Sequence, residues 1–213
     1  MNIKSLIYQG EGEQLDFKNK ISGFEKIAKT LVAFANHKGG RLLVGVADDG
    51  KVKGVKNEDE EKYMLERAAA VYCRPAVDIS FSEHMVDEKL VLMAEIAESD
   101  AKPHYAQSHD GKWWVYIRVA DESILAGKVV VDVLRRQQDA QGTLINYGEK
   151  ERDLLAYFQT NNRPRLRDLC KHLRLSRRKT QRLLVDLILA GVLGVKYEGA
   201  DEYFIEKATA EPS

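Results

Sequence analysis

Apolar residues along the chain recur with a period that switches between two and the helical three-to-four, and the switches predict the elements. In EGEQLDFK (residues 11–18), Leu15 and Phe17 alternate with Asp16 and Lys18, the pattern of a strand with one wet face. Ile21, Phe24, Ala28, Leu31 and Ala35 then fall at helical spacing, which predicts a helix over 23–36 behind a Ser22/Glu25 capping box. Asn36-His37-Lys38-Gly39-Gly40 ends that helix, because glycine accepts positive φ, and Arg41 to Ala47 reads as a strand. Asp48-Asp49-Gly50 is then a hairpin turn into a second short strand.

A helix over 58–72 follows, its acidic start suited to the helix dipole. Pro75 breaks it, and 77–81 and 90–96 alternate as two strands around a turn at Asp87-Glu88. Lys102 to Asp110 reads as irregular chain, 113–119 as a strand, and Ser123 as the cap of a helix through Arg136. Strands and helices mix without a βαβ repeat, so the fold class expected is α+β with an α/β-like mixed sheet.

Gln137 to Asn146 is polar and weakly periodic, a linker pattern. Beyond it lie three helical patterns, 149–160, 166–173 and 177–190, the last behind Ser176 as N-cap. Residues 192–197 and 203–205 form a hairpin through Glu198-Gly199-Ala200-Asp201, completing a winged helix-turn-helix pattern. The organisation expected is a first domain over 1–136, a linker over 137–146, a winged helix-turn-helix over 147–207 and a disordered tail over 208–213.

Formal net charge is zero, which alone argues against a nucleic-acid partner, but the distribution is uneven. Residues 1–146 carry 20 Lys/Arg against 23 Asp/Glu, whereas 147–207 carry 13 against 9. The excess gathers between Arg163 and Arg182, a hint of a nucleic-acid-binding portion. On the third C-terminal helix the positions off the core are Arg177, Arg178, Lys179, Gln181 and Arg182, and Arg165 lies just ahead of the second. Arg and Lys neutralise phosphates or read guanine, and Gln reads adenine, so this helix is a candidate for the major groove of DNA. The alternative is a solvated basic face that meets an acidic protein partner.

Two cysteines without ligand spacing suggest a reduced cytoplasmic protein, and no apolar stretch reaches membrane-spanning length, so no membrane partner is expected. Glu11, Glu13, Asp16, Asp48 and Asp49 are carboxylates that a sheet could gather around Mg²⁺ or Mn²⁺. Their ordinary reading is a loop residue, a wet strand face and turn formers. Asn36, His37, Gly39 and Gly40 form a candidate loop site, and Asn36 with Asp49-Gly50 loosely echoes ATP-binding regulators. The chain has no GxxxxGK[ST], so a P-loop is excluded.

EGEQLDFK, AFANHKGGRLLVGVADDGKVKGV and WWVYIRVAD together resemble the Schlafen-type AlbA_2 domain, also called divergent AAA-4, over about Leu6 to Arg136. The resemblance implies an α/β nucleic-acid-binding fold, which in bacteria is commonly joined to helix-turn-helix modules in transcriptional regulators. Animal relatives include metal-dependent ribonucleases that use three acids, and these would map onto Glu11, Asp16 and Asp48. Asp16 stands where Glu is usual, and His37 where Thr is usual. That ribonuclease core holds two copies of the domain, so one copy here implies a homodimer. The leading expectation is therefore a DNA-binding regulator, possessing no cofactor, that also addresses DNA or RNA through its first domain; a Mg²⁺- or Mn²⁺-dependent endoribonuclease is the alternative.

Overall fold

In the computed structural model, residues 2–137 and 148–207 are described. The tail over 208–213 and all of the predicted linker except Gln137 lie outside them. The chain divides into two compact units, 1–126 and 127–213.

In the first unit, α1 (Ile3–Gln9) precedes β1 (Leu15–Lys18), α2 (Phe24–Asn36), β2 (Gly40–Val44), α3 (Glu58–Val71) and β3 (Cys73–Arg74). Then come β4 (Ser80–Val86), β5 (Lys89–Ile96), β6 (Tyr105–Gln107), β7 (Trp113–Val119) and β8 (Glu122–Leu125). They build a mixed sheet in the order β1-β2-β5-β4, with β1 and β2 parallel, and an antiparallel sheet in the order β3-β6-β7-β8. Helix α2 packs on β6 and β7 and on α3.

Alternation along the mixed sheet explains its two covered faces. Leu42, Val44, Leu92, Ala94 and Ile96 join α2 and α3 in the larger core. Leu15, Phe17, Leu43, Val91 and Met93 point the other way and are covered by Ile3 of α1. Asp16 therefore has no wet face to occupy: it is 3% exposed, on the register level of Leu42. The sequence pattern missed this because α1 and the second sheet cover β1 from both sides.

Other differences are local. Ser123 lies in β8, paired with Arg118, rather than at a helix cap. The Asp48-Asp49-Gly50 turn forms, yet its second strand shrinks to one bridge, Val46 to Val52. Gly23 is the N-cap of α2 and no side-chain cap bond forms there, so the Ser22 box is absent. Part of the stretch expected to be irregular is β6.

Asn36 closes α2 and ties the unit together. Its Nδ2 donates to the carbonyls of His104 and Tyr116, both at 2.9 Å, and its Oδ1 accepts from the His104 amide at 2.7 Å. All of this is dry, with Asn36 3% and His104 2% exposed. His104 continues the brace through Pro75 O and Ser99 Oγ, and its burial pulls the imidazole pKa down, which favours the neutral ring. Gly39 and Gly40 answer the same packing demand. Gly39 has φ +71°, and a Cβ there would sit 2.6 Å from Ile96 O; a Cβ on Gly40 would run into the Phe34 ring.

The second unit contains α4 (Lys128–Arg136), α5 (Glu149–Phe158), α6 (Leu166–Leu173), α7 (Arg177–Leu189), β9 (Leu193–Glu198) and β10 (Asp201–Glu206), the last two an antiparallel hairpin. Its core joins Leu154, Phe158, Leu169, Leu173, Leu184, Leu187, Leu193 and Phe204. Arg174, in the left-handed region at φ 51°, ends α6, and Ser176 Oγ accepts from the Lys179 amide to open α7. The sequence reading placed α4 in the first domain, but it packs on α7 through Val129 and Val133. Glu202 meets Gly127 at the start of α4 and accepts from Tyr197 Oη at 2.9 Å. Burial raises the pKa of both Glu202 and Tyr197. No helix among the described residues is long and apolar enough to cross a membrane.

Two outcomes follow from this architecture. Asn36→Ala strands three buried backbone groups and should lower stability by on the order of 3 kcal/mol, read from urea unfolding; an unchanged midpoint would remove the brace from the account. Because the native carboxyl of Glu202 has a raised pKa, its contribution is fully present at acid pH and is lost as pH rises out of the ordinary carboxylate range through that raised value. Melting temperatures across pH 4 to 8 should thus fall less for Glu202→Gln than for wild type, and parallel profiles would refute the linkage.

Candidate functional site

Two regions hold the residues singled out by the sequence. In the first, β1 and β7 bring Glu11, Asp16 and Arg118 together. Glu11 Oε1 accepts from the Phe17 amide at 2.7 Å. Its pKa is raised, chiefly by burial and further by the neighbouring Asp16 carboxylate, against the lowering effect of the Phe17 bond. The Arg118 side chain is 1% exposed; Nη1 lies 3.8 Å from Asp16 Oδ1, and Nη2 donates to Gly12 O at 2.7 Å. Its guanidinium also stacks 4.8 Å from the centre of the Phe34 ring. Lys18 Nζ is 3.0 Å from Asp16 Oδ2, an ion-pair distance without hydrogen-bond alignment.

Arg118 entered the sequence reading only as a strand residue, although an arginine among the apolar residues of WWVYIRV was the available signal. Desolvation lowers its pKa, while Asp16, Glu11 and Asp121 oppose that shift. Asp16 and Glu11 thus act on a dry guanidinium, while Asp16 Oδ2 and Arg118 Nε have no hydrogen-bond partner among the described residues.

Asp48 does not join them in this arrangement. It lies exposed in the 47–51 turn, closed by the Gly50 amide donating to Ala47 O. Among the described residues no three His, Cys, Asp or Glu side chains are grouped to hold a metal ion. The donor set implied for Mg²⁺ or Mn²⁺ does not fit here: a cation already faces Asp16, and the third carboxylate is elsewhere.

The loop residues Asn36, His37, Gly39 and Gly40 sit together, but Asn36 has committed both ends of its amide to backbone. The carbonyl of His37 accepts from Lys102 Nζ at 2.9 Å, and the buried His37 Nδ1 has no hydrogen-bond partner among the described residues. Burial lowers the His37 pKa.

The second region is α7. Arg177, Arg178, Lys179 and Arg182 are exposed and have no carboxylate partner among the described residues, and Gln181 lies between them, half-buried. On the helical wheel Arg178, Gln181, Arg182 and Val185 share the side turned away from Leu184 and Leu187. Arg165 behaves differently: its Nη2 binds Asp201 of the hairpin at 2.6 Å, and neighbouring Arg163 binds Glu198 at 3.0 Å and lies over the Tyr203 ring. Helix α4 adds cations that the sequence reading did not consider. Lys128 and Arg136, two turns apart, line with Arg178 and Arg182 an open cleft of about 720 Å³. Their spacing, eight residues, is the signal that was available.

Comparison with known proteins bears on the first unit. A family model described as Schlafen, AlbA_2 matches residues 11–126. The DIP2311 protein from Corynebacterium diphtheriae is similar at 20% identity and a TM-score of 0.45, over 70% of this chain and 29% of that one. The present chain thus spans under a third of it. The N-terminal domain of a RecG-related protein from Nitrosomonas europaea is similar at 20% identity and a TM-score of 0.43, over 70% of this chain and 99% of that one. No curated protein matches the chain. The match over 11–126 takes in more than half of the 213 residues, including the Glu11–Asp16 opening, the Asn36 brace and the Arg118 strand, and the chain belongs to the Schlafen AlbA_2 family.

Proposed function

We propose that the protein is a DNA-binding transcriptional regulator of the cytoplasm, in which residues 148–207 act as a winged helix-turn-helix and α7 enters the major groove. One observation carries this reading: the exposed row of Arg177, Arg178, Lys179 and Arg182 at the start of α7 has no carboxylate partners among the described residues. Cations left open to solvent release counterions when they meet phosphates, which drives association. The tight connection Arg174-Leu175-Ser176 between α6 and α7 suits a helix that presents its N-terminal half to base edges.

The hairpin of β9 and β10 takes the place of the wing. Its tip carries Glu198 and Asp201, which pair with Arg163 and Arg165, so in this reading Arg165 positions the wing. The AlbA_2 domain supplies dimerisation and a further nucleic-acid surface. A second copy of the chain would give the basic helices the two-fold symmetry of a palindromic site. The nuclease alternative finds no cluster of three carboxylates among the described residues, and what it keeps is the buried Asp16 Oδ2, which has no hydrogen-bond partner there.

Duplex DNA titrated at several NaCl concentrations and followed by fluorescence anisotropy tests the reading. Arg178→Ala with Arg182→Ala should weaken binding at least about tenfold and lower the log–log salt slope by about two, whereas Asp48→Ala should change neither. Duplex affinity indifferent to the arginine pair would sink the assignment of α7. Light scattering on the purified chain should return twice the chain mass, and a monomer at micromolar concentration would refute the dimer.

A further inference from the structure

Helices α4 and α7 lie side by side, and the trough between them is unusually cationic. Lys128, Arg135 and Arg136 come from α4, and Arg178 and Arg182 from α7; among the described residues lining the trough these five cations face two carboxylates, Asp132 and Asp186. Val185 floors the trough at 2% exposure. Both acids are occupied. Asp132 Oδ1 is 2.5 Å from Lys128 Nζ and 3.6 Å from Arg135 Nη1, and Asp186 Oδ1 is 2.6 Å from Arg136 Nη1. These pairs fix the α4 cations along the trough, and among the described residues neither acid pairs with the α7 arginines.

Arg178 and Arg182 stand one turn apart on the same face, an arrangement in which like charges repel. Neither has a carboxylate partner among the described residues. An anion in the trough relieves that repulsion and receives guanidinium donors from α7 and charged side chains from α4. At about 720 Å³ the space exceeds a single phosphate and suits a row of them. Planar guanidinium forks match phosphate oxygens pairwise, and arginine suits such a site better than lysine.

We propose that the α4–α7 trough is a phosphate-binding site for consecutive phosphoryl groups, with Lys128 and Arg136 of α4 completing it opposite Arg178 and Arg182. The site shares its α7 arginines with the duplex reading above and deepens that reading by making α4 part of the contact surface. Consecutive phosphates come from two sources, a nucleic-acid backbone or a free polyphosphate compound.

Inorganic tripolyphosphate and duplex DNA, each titrated calorimetrically into the full chain, separate the possibilities. Lys128→Gln/Arg136→Gln is the test variant, and Arg152→Gln/Lys171→Gln removes the same charge elsewhere on the unit; circular-dichroism melts certify folding of both. We expect tripolyphosphate affinity to fall at least tenfold for the test variant and less than twofold for the control. A parallel fall in DNA affinity, with a shallower salt slope, identifies the backbone as the source; unchanged DNA affinity identifies a free polyphosphate. Tripolyphosphate binding that is absent in wild type, or that falls equally in both variants, overturns the site. The two readings fail separately: DNA binding lost on changing Arg177 and Lys179 while the trough proves inert would leave only the duplex reading standing, and tripolyphosphate binding without any duplex affinity would leave only the trough.

Discussion

A single amide decides how the first unit closes. The Asn36 side chain, at the end of a helix with no exposed turn to escape to, satisfies three backbone groups of segments 68 and 80 residues away. Removing Asn36 takes away the partner of all three groups, and a backbone group left unpaired away from water is costly. No apolar residue of similar size could replace it, and an aspartate would repel both carbonyls. Around it the glycines at 39 and 40 let the chain turn back beneath Phe34 and beside Ile96. Asn36 thus acts structurally, joining α2 to β7 and to the 102–104 segment.

Charge is handled in opposite ways by the two units. In the first, Arg118 is taken out of water and matched by Glu11, Asp16, the Gly12 carbonyl and the Phe34 ring, so the cation serves cohesion. Removing one partner of such a buried guanidinium leaves the others desolvated without compensation. In the second unit the cations of α7 remain in solvent, where unpaired charge costs little and stays available to an anion. The acids of this unit are spent in fixing other cations: Asp186 holds Arg136, and Asp201 holds Arg165. Selective pairing leaves the row along α7 as the open electrostatic surface.

Most elements were legible in the sequence because an element's period reflects its own averaged burial. The helices ending at Asn36, Leu173 and Leu189, the strand Trp113–Val119 and the β9–β10 hairpin follow from spacing, capping and turn residues. Family membership was legible in the motifs running from Glu11 to the strand that carries Arg118. Ser123 went astray because a short Glu122–Leu125 alternation resembles a helix start unless its partner strand is known. Helix α1 was missed altogether, since seven residues give less than two full turns of pattern.

What the sequence determined by itself was local: where the chain alternates, where it coils, where glycine must permit a turn, and that cations accumulate toward the C-terminal portion. Only the tertiary structure decided which of those residues share a site. It turned Asp16 inward, since both faces of β1 are covered; set Arg118 against it while leaving Asp48 outside; handed Arg165 to the hairpin; and laid α4 against α7 so that cations far apart in the chain, Lys128 and Arg136 with Arg178 and Arg182, line one trough. The physical reason is that periodicity records whether a face is covered but carries no information on what covers it. Burial, pairing and charge availability are settled by that second fact.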